Sequence, residues 1–178
     1  MKKKTAKKKS APEFSTLRDL FIDQLKDLYS AEIQIVKKGL PKMVKRASHP
    51  DLVEGLAAHL KETKGQIERL DRIADELKIR LSGETCKATK GLLEEAAAWM
   101  EQDATDEVMD AGIIAEGQRI EHYEISGYGT AHAYAMLLGE RACGTLLAET
   151  LAEEKAAHDS LGKAAKSIND SALKWHPR

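Results

Sequence analysis

The stretch IIAEGQRIEHYEISGY, residues 113–128, decides the fold because its apolar and small side chains recur at helical spacing. An α-helix turns about 100° per residue, so residues three or four positions apart share a face. The apolar face of this helix is formed by Ile113, Gly117, Ile120 and Tyr128. Glu121 and Glu124 fall on the same face. The stretch therefore predicts a buried helix that carries two carboxylates toward the core.

The same periodicity predicts four long helices and one short helix along the chain. Their expected ranges are 17–46, 51–81, 88–102, 105–138 and 140–168. Ser15 or Thr16 is placed to cap the first helix, and Ser48 or Asp51 to cap the second. The four long helices form two pairs, and a longer crossover that contains the short helix joins the pairs. This arrangement predicts an all-α, ferritin-like four-helix bundle.

Composition supports one helical domain. The chain has 178 residues, of which 42% are hydrophobic, 32% charged and only 4% aromatic. No apolar run is long enough to span a bilayer, which argues against a membrane protein.

There are two cysteines, Cys86 and Cys143, and no apolar stretch follows the first lysines. Two cysteines are too few for a disulfide framework, so we expect a cytoplasmic location.

The domain organisation follows from charge. Six lysines lie within Lys2–Lys9, whereas the rest of the chain has 22 basic and 29 acidic residues. We expect residues 1–12 to be a disordered tail, 13–171 the bundle and 172–178 a frayed terminus. The tail predicts weak, sequence-independent binding to DNA phosphates, with a solubility role as the alternative.

Further charged residues fall on the predicted apolar faces. Glu32 lies on that face of the first long helix, and Glu154 with His158 on that of the last. Four glutamates in a bundle core are costly unless they are neutralised, and a pair of metal ions would neutralise them. On the second long helix we predict Glu62 as a ligand, with His59 as a ligand or a supporting residue. Gln66 is the alternative on that helix.

Oxygen donors of this kind suit iron or manganese. We expect two iron ions per chain, with manganese as the alternative metal. The predicted chemistry is iron(II) oxidation or peroxide consumption, that is, a ferroxidase-like or peroxidase-like oxidoreductase. The rival prediction is a non-catalytic helical dimer module that binds a partner, or DNA through Lys2–Lys9.

Four segments together resemble the bacterial YciF/YciE family of ferritin-like proteins: DLFIDQLKDLYSAEIQ, HLKETKGQIERLDRI, RIEHYEISGYGT and ETLAEEKAAHDSL. The resemblance covers about Phe14 to Ile168. It implies a ferritin-like bundle with a dinuclear metal site, a homodimer or another small homo-oligomer, and a link to stress responses.

A looser resemblance is to the rubrerythrins, which place Glu-x-x-Glu on the third long helix, as Glu121 and Glu124 stand here. They place Glu-x-x-His on the fourth. Glu154 matches that glutamate, but Ala157 stands at the histidine position and His158 comes one residue later.

The tail prediction is tested by deleting residues Met1 to Ser10. We expect the deletion to abolish DNA binding at low salt while iron(II) oxidation is retained, because every predicted ligand lies beyond Pro12. A gel-shift salt titration on both proteins measures the binding. An intact protein that binds no DNA at about 20 mM salt, where screening is weak, would leave the tail only its solubility role.

Overall fold

The computed structural model describes residues 14–173, nearly all of them helical. The elements are α1 (Leu17–Gln34), a π-helical turn (Ile35–Gly39), α2 (Leu40–Arg46), α3 (Pro50–Leu77), α4 (Lys87–Met100), α5 (Asp106–Leu137) and α6 (Arg141–Leu173). Within these residues there is no β-strand, only an isolated bridge between Ser82 and Glu84. The predicted tail, residues 1–12, lies outside the described part of the chain.

Four long helical units form a closed bundle. The first unit is α1, the π-helical turn and α2 in continuous succession, and the others are α3, α5 and α6. Helix α1 packs against α3, α3 against α6, α6 against α5, and α5 against α1. The short helix α4 packs on α5 and on the π-helical turn. The all-α bundle predicted from the sequence is confirmed.

The crossover between α3 and α5 runs the length of the bundle. Asp110, near the start of α5, accepts hydrogen bonds from the backbone N–H groups of Ser48 and His49, just before α3. The N-terminal ends of α3 and α5 are therefore neighbours, so the chain must return from the end of α3 to its start. Residues 78–105, including α4, make this return.

The structure corrects several predicted helix ends. Of the two residues predicted to cap α1, Ser15 and Thr16, the structure has Thr16 as the N-cap. Thr16 forms a capping box with Asp19. Helix α3 ends at Leu77 rather than at residue 81, because Lys78 takes a left-handed conformation with φ 54°. Its N-cap is His49, neither Ser48 nor Asp51. Helix α6 continues to Leu173, beyond the predicted end at residue 168.

The π-helical turn adjusts the buried face of the first helical unit. The buried residues Ile35, where the turn begins, and Leu40, the first residue of α2, stand five positions apart. In a regular α-helix that separation would rotate Leu40 about 140° away from Ile35. The wider π turn brings the two residues back toward one face. It begins directly after the turn that carries Glu32, a feature that helical periodicity alone does not predict.

A polar layer divides the core into two apolar clusters. One cluster contains Phe21, Leu25, Leu28, Leu70, Ile73, Tyr128, Ala131, Ala135 and Leu147, among others. The other contains Ile35, Leu40, Leu52, Leu56, Met109, Ile113, Ile120, Leu161 and Ile168, among others. On every long helical unit, the residues between the two clusters include buried polar side chains. They are Glu32, His59, Thr63, Gln66, Glu121, Glu124, Thr150 and Glu154.

Between Phe14 and Leu173, no helix has both the length and the apolar character that crossing a membrane requires.

Trp99 joins the crossover to the bundle, and the contact requires glycine at position 112. The indole N–H of Trp99 donates to the backbone carbonyl of Met109 at 3.3 Å. A Cβ atom at Gly112 would lie 1.8 Å from Trp99 Nε1. We expect Gly112→Ala to lower the free energy of unfolding by about 1–3 kcal/mol, because the half-buried indole must move.

Gly129→Ala on the same helix is the matched control, since nothing lies within 4 Å of a Cβ there. Alanine should leave stability unchanged at that position or raise it by about 0.5–1 kcal/mol. Urea unfolding of both variants measures the difference, and equal stabilities would contradict the proposed role of the Trp99 contact.

Candidate metal centre

Four chemically suited side chains converge in the polar layer. His59 from α3, Glu121 and Glu124 from α5, and Glu154 from α6 each offer one ligand atom, and these atoms lie within 4.8 Å of one another. All four residues are buried. Glu121 and Glu124 can both face the core because residues three apart on a helix share one side. The two glutamates predicted from the opening stretch are thus brought together with Glu154.

His59 sits at one edge of this cluster. Its Nε2 atom lies 3.2 Å from Glu121 Oε1 and 3.9 Å from Glu154 Oε2. Its Nδ1 atom lies 3.8 Å from Glu62 Oε2, too far for a hydrogen bond. His59 is therefore held toward the carboxylates of α5 and α6 through one ring nitrogen, while the other ring nitrogen is free to bind.

Glu32 completes the cluster from the fourth helical unit. It is fully buried, and the Tyr128 hydroxyl donates a hydrogen bond to its Oε1 atom. Its carboxyl group also interacts with that of Glu124. Glu32 lies outside the group of four whose ligand atoms are within 4.8 Å of one another, but with it every long helical unit contributes at least one buried candidate ligand to the polar layer.

The carboxylates have more acceptor atoms than donors to satisfy them. Buried oxygens without a hydrogen-bond partner are Glu32 Oε2, Glu121 Oε2, Glu124 Oε1 and both oxygens of Glu154. In the described residues no lysine or arginine forms an ion pair with these four glutamates. Buried carboxylates require pairing or metal coordination. The donor set therefore fits hard divalent cations.

A supporting network flanks the cluster between α3 and α6. Arg69 pairs in a bidentate manner with Glu153, at 2.7 and 2.5 Å, and its Nη1 also reaches Thr150 Oγ1 at 3.3 Å. Gln66 donates to Glu153 at 3.1 Å. The sequence prediction named Gln66 as an alternative ligand but missed Arg69 and Glu153. The three-residue spacing of Gln66 and Arg69, which puts them on one face, could have indicated the network.

Two predicted ligands are not brought into the buried cluster. The Glu62 side chain is 51% exposed and lies on the outer side of His59. His158 is half-buried, and its ring lies against that of His122 with centroids 4.6 Å apart. The cluster thus contains His59, the helix α3 residue that the sequence prediction left open as ligand or supporting residue.

Burial and crowding disfavour the charged forms of these carboxyl groups. Burial is the main cause that raises the pKa of Glu32 to about 7, against a hydrogen bond from Tyr128 that lowers it. Burial, with repulsion from Glu32, raises the pKa of Glu154 to about 11. The pKa of Glu124 is raised well above its ordinary value for the same reasons. Without cations, the cluster therefore retains protons at neutral pH.

The pKa of His59 is also raised. Burial lowers it, but the hydrogen bond and the attraction from Glu121 raise it by more. A histidine proton thus offsets part of the carboxylate charge when no cation is bound.

These shifts predict how the stability of the metal-free protein depends on pH. When folding raises the pKa of a carboxyl group, that group's contribution to stability is complete at pH values below its pKa in the unfolded chain. The contribution is lost as pH rises through its pKa in the folded protein. For Glu32 that window runs from about 4.3 to about 7. From Glu32 alone we expect the free energy of unfolding in EDTA to fall by about 1–3 kcal/mol between pH 5.5 and 8, and the raised pKa values of Glu124, Glu154 and His59 act in the same direction.

Urea unfolding at several pH values measures this loss. The Glu32→Gln variant should show a weaker pH dependence and greater stability at pH 8, because the amide carries no titrating charge and still accepts from Tyr128. Stability that rises with pH across this range would contradict the prediction.

Comparison with known proteins identifies relatives of the whole bundle. Residues 16–174 match the family described as "Domain of unknown function (DUF892)". Protein YciF of Escherichia coli K12 is 42% identical over 159 residues, which span 88% of this chain and 95% of that protein.

Solved structures agree with this relationship. The crystal structure of the E. coli stress protein YciF superposes with a TM-score of 0.85 at 41% identity, covering 88% of this chain and 99% of that one. YcfI from Rhodopseudomonas palustris gives a TM-score of 0.82 at 43% identity, covering 86% and 97%. A protein from Xanthomonas campestris, 20% identical over 90% of this chain and 97% of its own, shares the fold with a TM-score of 0.71. With a match across nearly the whole bundle and this identity to YciF, the chain belongs to the DUF892 family of YciF-like proteins.

Proposed function

We propose that this protein binds two iron ions per chain in the polar layer and acts as a ferroxidase-like or peroxide-consuming oxidoreductase, with manganese as the alternative metal. The ligands are Glu32, His59, Glu121, Glu124 and Glu154. They come from all four long helical units, as in other dinuclear carboxylate bundles.

One observation carries this proposal. Four glutamates lie at 0–2% exposure in the centre of a helical core, with several unpartnered oxygens, and His59 is the basic residue beside them, since no lysine or arginine pairs with them among the described residues. Ionised groups buried in this way cost several kcal/mol each in folding free energy. A chain keeps such a cluster when the carboxylates hold something, and a hard cation is the partner that their chemistry fits best.

Charge supports two ions over one. Four carboxylates carry four negative charges when ionised, and two divalent cations balance them fully. A single divalent cation would leave two negative charges in the core, or two carboxyl groups still protonated. The donor set of four carboxylates and one imidazole supports iron or manganese over the softer metals, which prefer thiolates.

The surrounding residues would orient the ligands and exclude water. Tyr128 fixes one oxygen of Glu32 through its hydroxyl group, and the apolar clusters on either side of the layer limit solvent access. His59 can hold a proton at its Nδ1 or Nε2 atom, within reach of Glu121. A pair of bound iron(II) ions would supply two electrons, which with two protons reduce hydrogen peroxide to water or dioxygen to hydrogen peroxide.

A role in the stress response is part of this proposal. The E. coli relative is described as a stress protein, and consumption of an oxidant by iron(II) is a chemistry that such a role would use. The free, buried thiols of Cys86 and Cys143 are compatible with the reducing cytoplasm that we propose as its location.

The metal proposal is tested by Glu121→Gln, with Glu107→Gln as the matched control. Both residues lie on α5, but Glu107 is exposed in its first turn. After anaerobic loading with iron(II), we expect two ions per chain in the wild type and in the control. Glu121→Gln should retain at most one ion, and iron(II) oxidation by peroxide should slow at least about tenfold, because a ligand is lost.

Metal analysis and the absorbance of oxidised iron measure the two effects. If the wild type takes up neither iron(II) nor manganese(II), the proposed function is wrong and the non-catalytic module becomes the better description.

A further inference from the structure

A cleft opens between α3 and α6 beside the polar layer. Its volume is about 190 Å³. The two helices approach each other there through small side chains, which leave space where larger residues would close the interface. The small residues of its wall are Gly55, Ala58, Ala156, Ala157, Ser160 and Ala164, and the side chains of Leu52, Leu56 and Leu161 also line it.

The inner end of the cleft is the edge of the candidate metal centre. His59 and Glu121 line it, and both are buried. His59 is only 6% exposed, yet its Nδ1 atom has no hydrogen-bond partner. Its other ring nitrogen reaches Glu121 at 3.2 Å. The imidazole thus connects the cleft to the carboxylate cluster.

Two exposed carboxylates, those of Asp51 and Glu62, also line the cleft, and Glu62 is the one next to His59. The Glu62 side chain is 51% exposed, and its Oε2 atom lies 3.8 Å from His59 Nδ1. Glu62, His59 and Glu121 therefore form a series of potential ligands that runs from solvent to the core.

We propose that this cleft is the access route for divalent cations and that Glu62 is their first, transient ligand. This inference rests on the proposed metal centre and describes how divalent cations enter that centre. A cation binds Glu62 at the surface, passes to His59 through its free Nδ1 side, and reaches Glu121 and the other buried carboxylates.

The physical reason is the cost of removing water from a cation. A hydrated divalent ion cannot shed its water into an apolar core in a single step, since nothing there would replace the lost ligands. Ligands spaced a few ångströms apart replace water one molecule at a time. The alanine side chains of the cleft wall offer no competing ligand that would trap the ion on its way.

Glu62→Gln tests the role of the first ligand. We expect cobalt(II), used as a spectroscopic probe under anaerobic conditions, to bind this variant about tenfold more slowly than the wild type in stopped-flow absorbance. The number of ions bound at equilibrium should not change, because Glu62 is no permanent ligand. Glu68→Gln is the matched control, since Glu68 is an exposed glutamate of α3 that does not line the cleft.

Ala157→Leu tests the route itself, because a larger side chain narrows the cleft without removing a ligand. We expect slower cobalt(II) binding with the final stoichiometry of the wild type. Thermal unfolding of each metal-free variant verifies that the bundle is intact.

Two results would overturn the inference while leaving the metal centre in place. Wild-type binding rates in both Glu62→Gln and Ala157→Leu would exclude the cleft as the route. Fewer bound ions in Glu62→Gln would make Glu62 a permanent ligand instead. A wild-type protein that binds no cobalt(II), iron(II) or manganese(II) would refute both the centre and its access route.

Discussion

Burial of four glutamates at one level of a helical bundle is the constraint on which the rest of this structure depends. Their carboxyl groups are crowded and largely without hydrogen-bond donors, and among the described residues no lysine or arginine forms an ion pair with them. Such a layer reduces the apolar area available to stabilise the fold, so the two flanking apolar clusters must supply the packing. The fold is thus organised around a layer that destabilises the metal-free protein and suits it to hold cations.

The polar layer forms only if each long helical unit places its polar residues at the same level along the bundle axis. The π-helical turn keeps Ile35 and Leu40 on the buried side after Glu32. The long crossover makes α3 and α5 parallel, and Asp110 anchors their N-terminal ends together. These features lie outside the carboxylate cluster, yet they help to set where the carboxylates meet.

The interface between α3 and α6 differs on the two sides of the layer. On one side, Arg69 and Glu153 form a bidentate ion pair that closes the interface and binds Gln66. On the other side, small residues leave the cleft that leads to His59 and Glu121. A layer sealed on one side and accessible on the other suits a centre that must exclude water and still exchange ions.

Helical periodicity in the sequence was enough to predict the helical class, the four long helical units with their crossover, and the glutamates that face the core. These follow from local periodicity, since a residue's face on a helix depends only on its spacing from its neighbours. The other features depend on how the helices pack. Whether His59, Glu62 or Gln66 of α3 reaches the cluster depends on the rotation of that helix against α5 and α6. The half-buried position of His158 against His122 depends on the packing of α6 on α5. The Arg69–Glu153 pair and the cleft likewise arise from contacts between residues distant in sequence, and the π-helical turn departs from the regular α-helical spacing on which the periodicity argument rests.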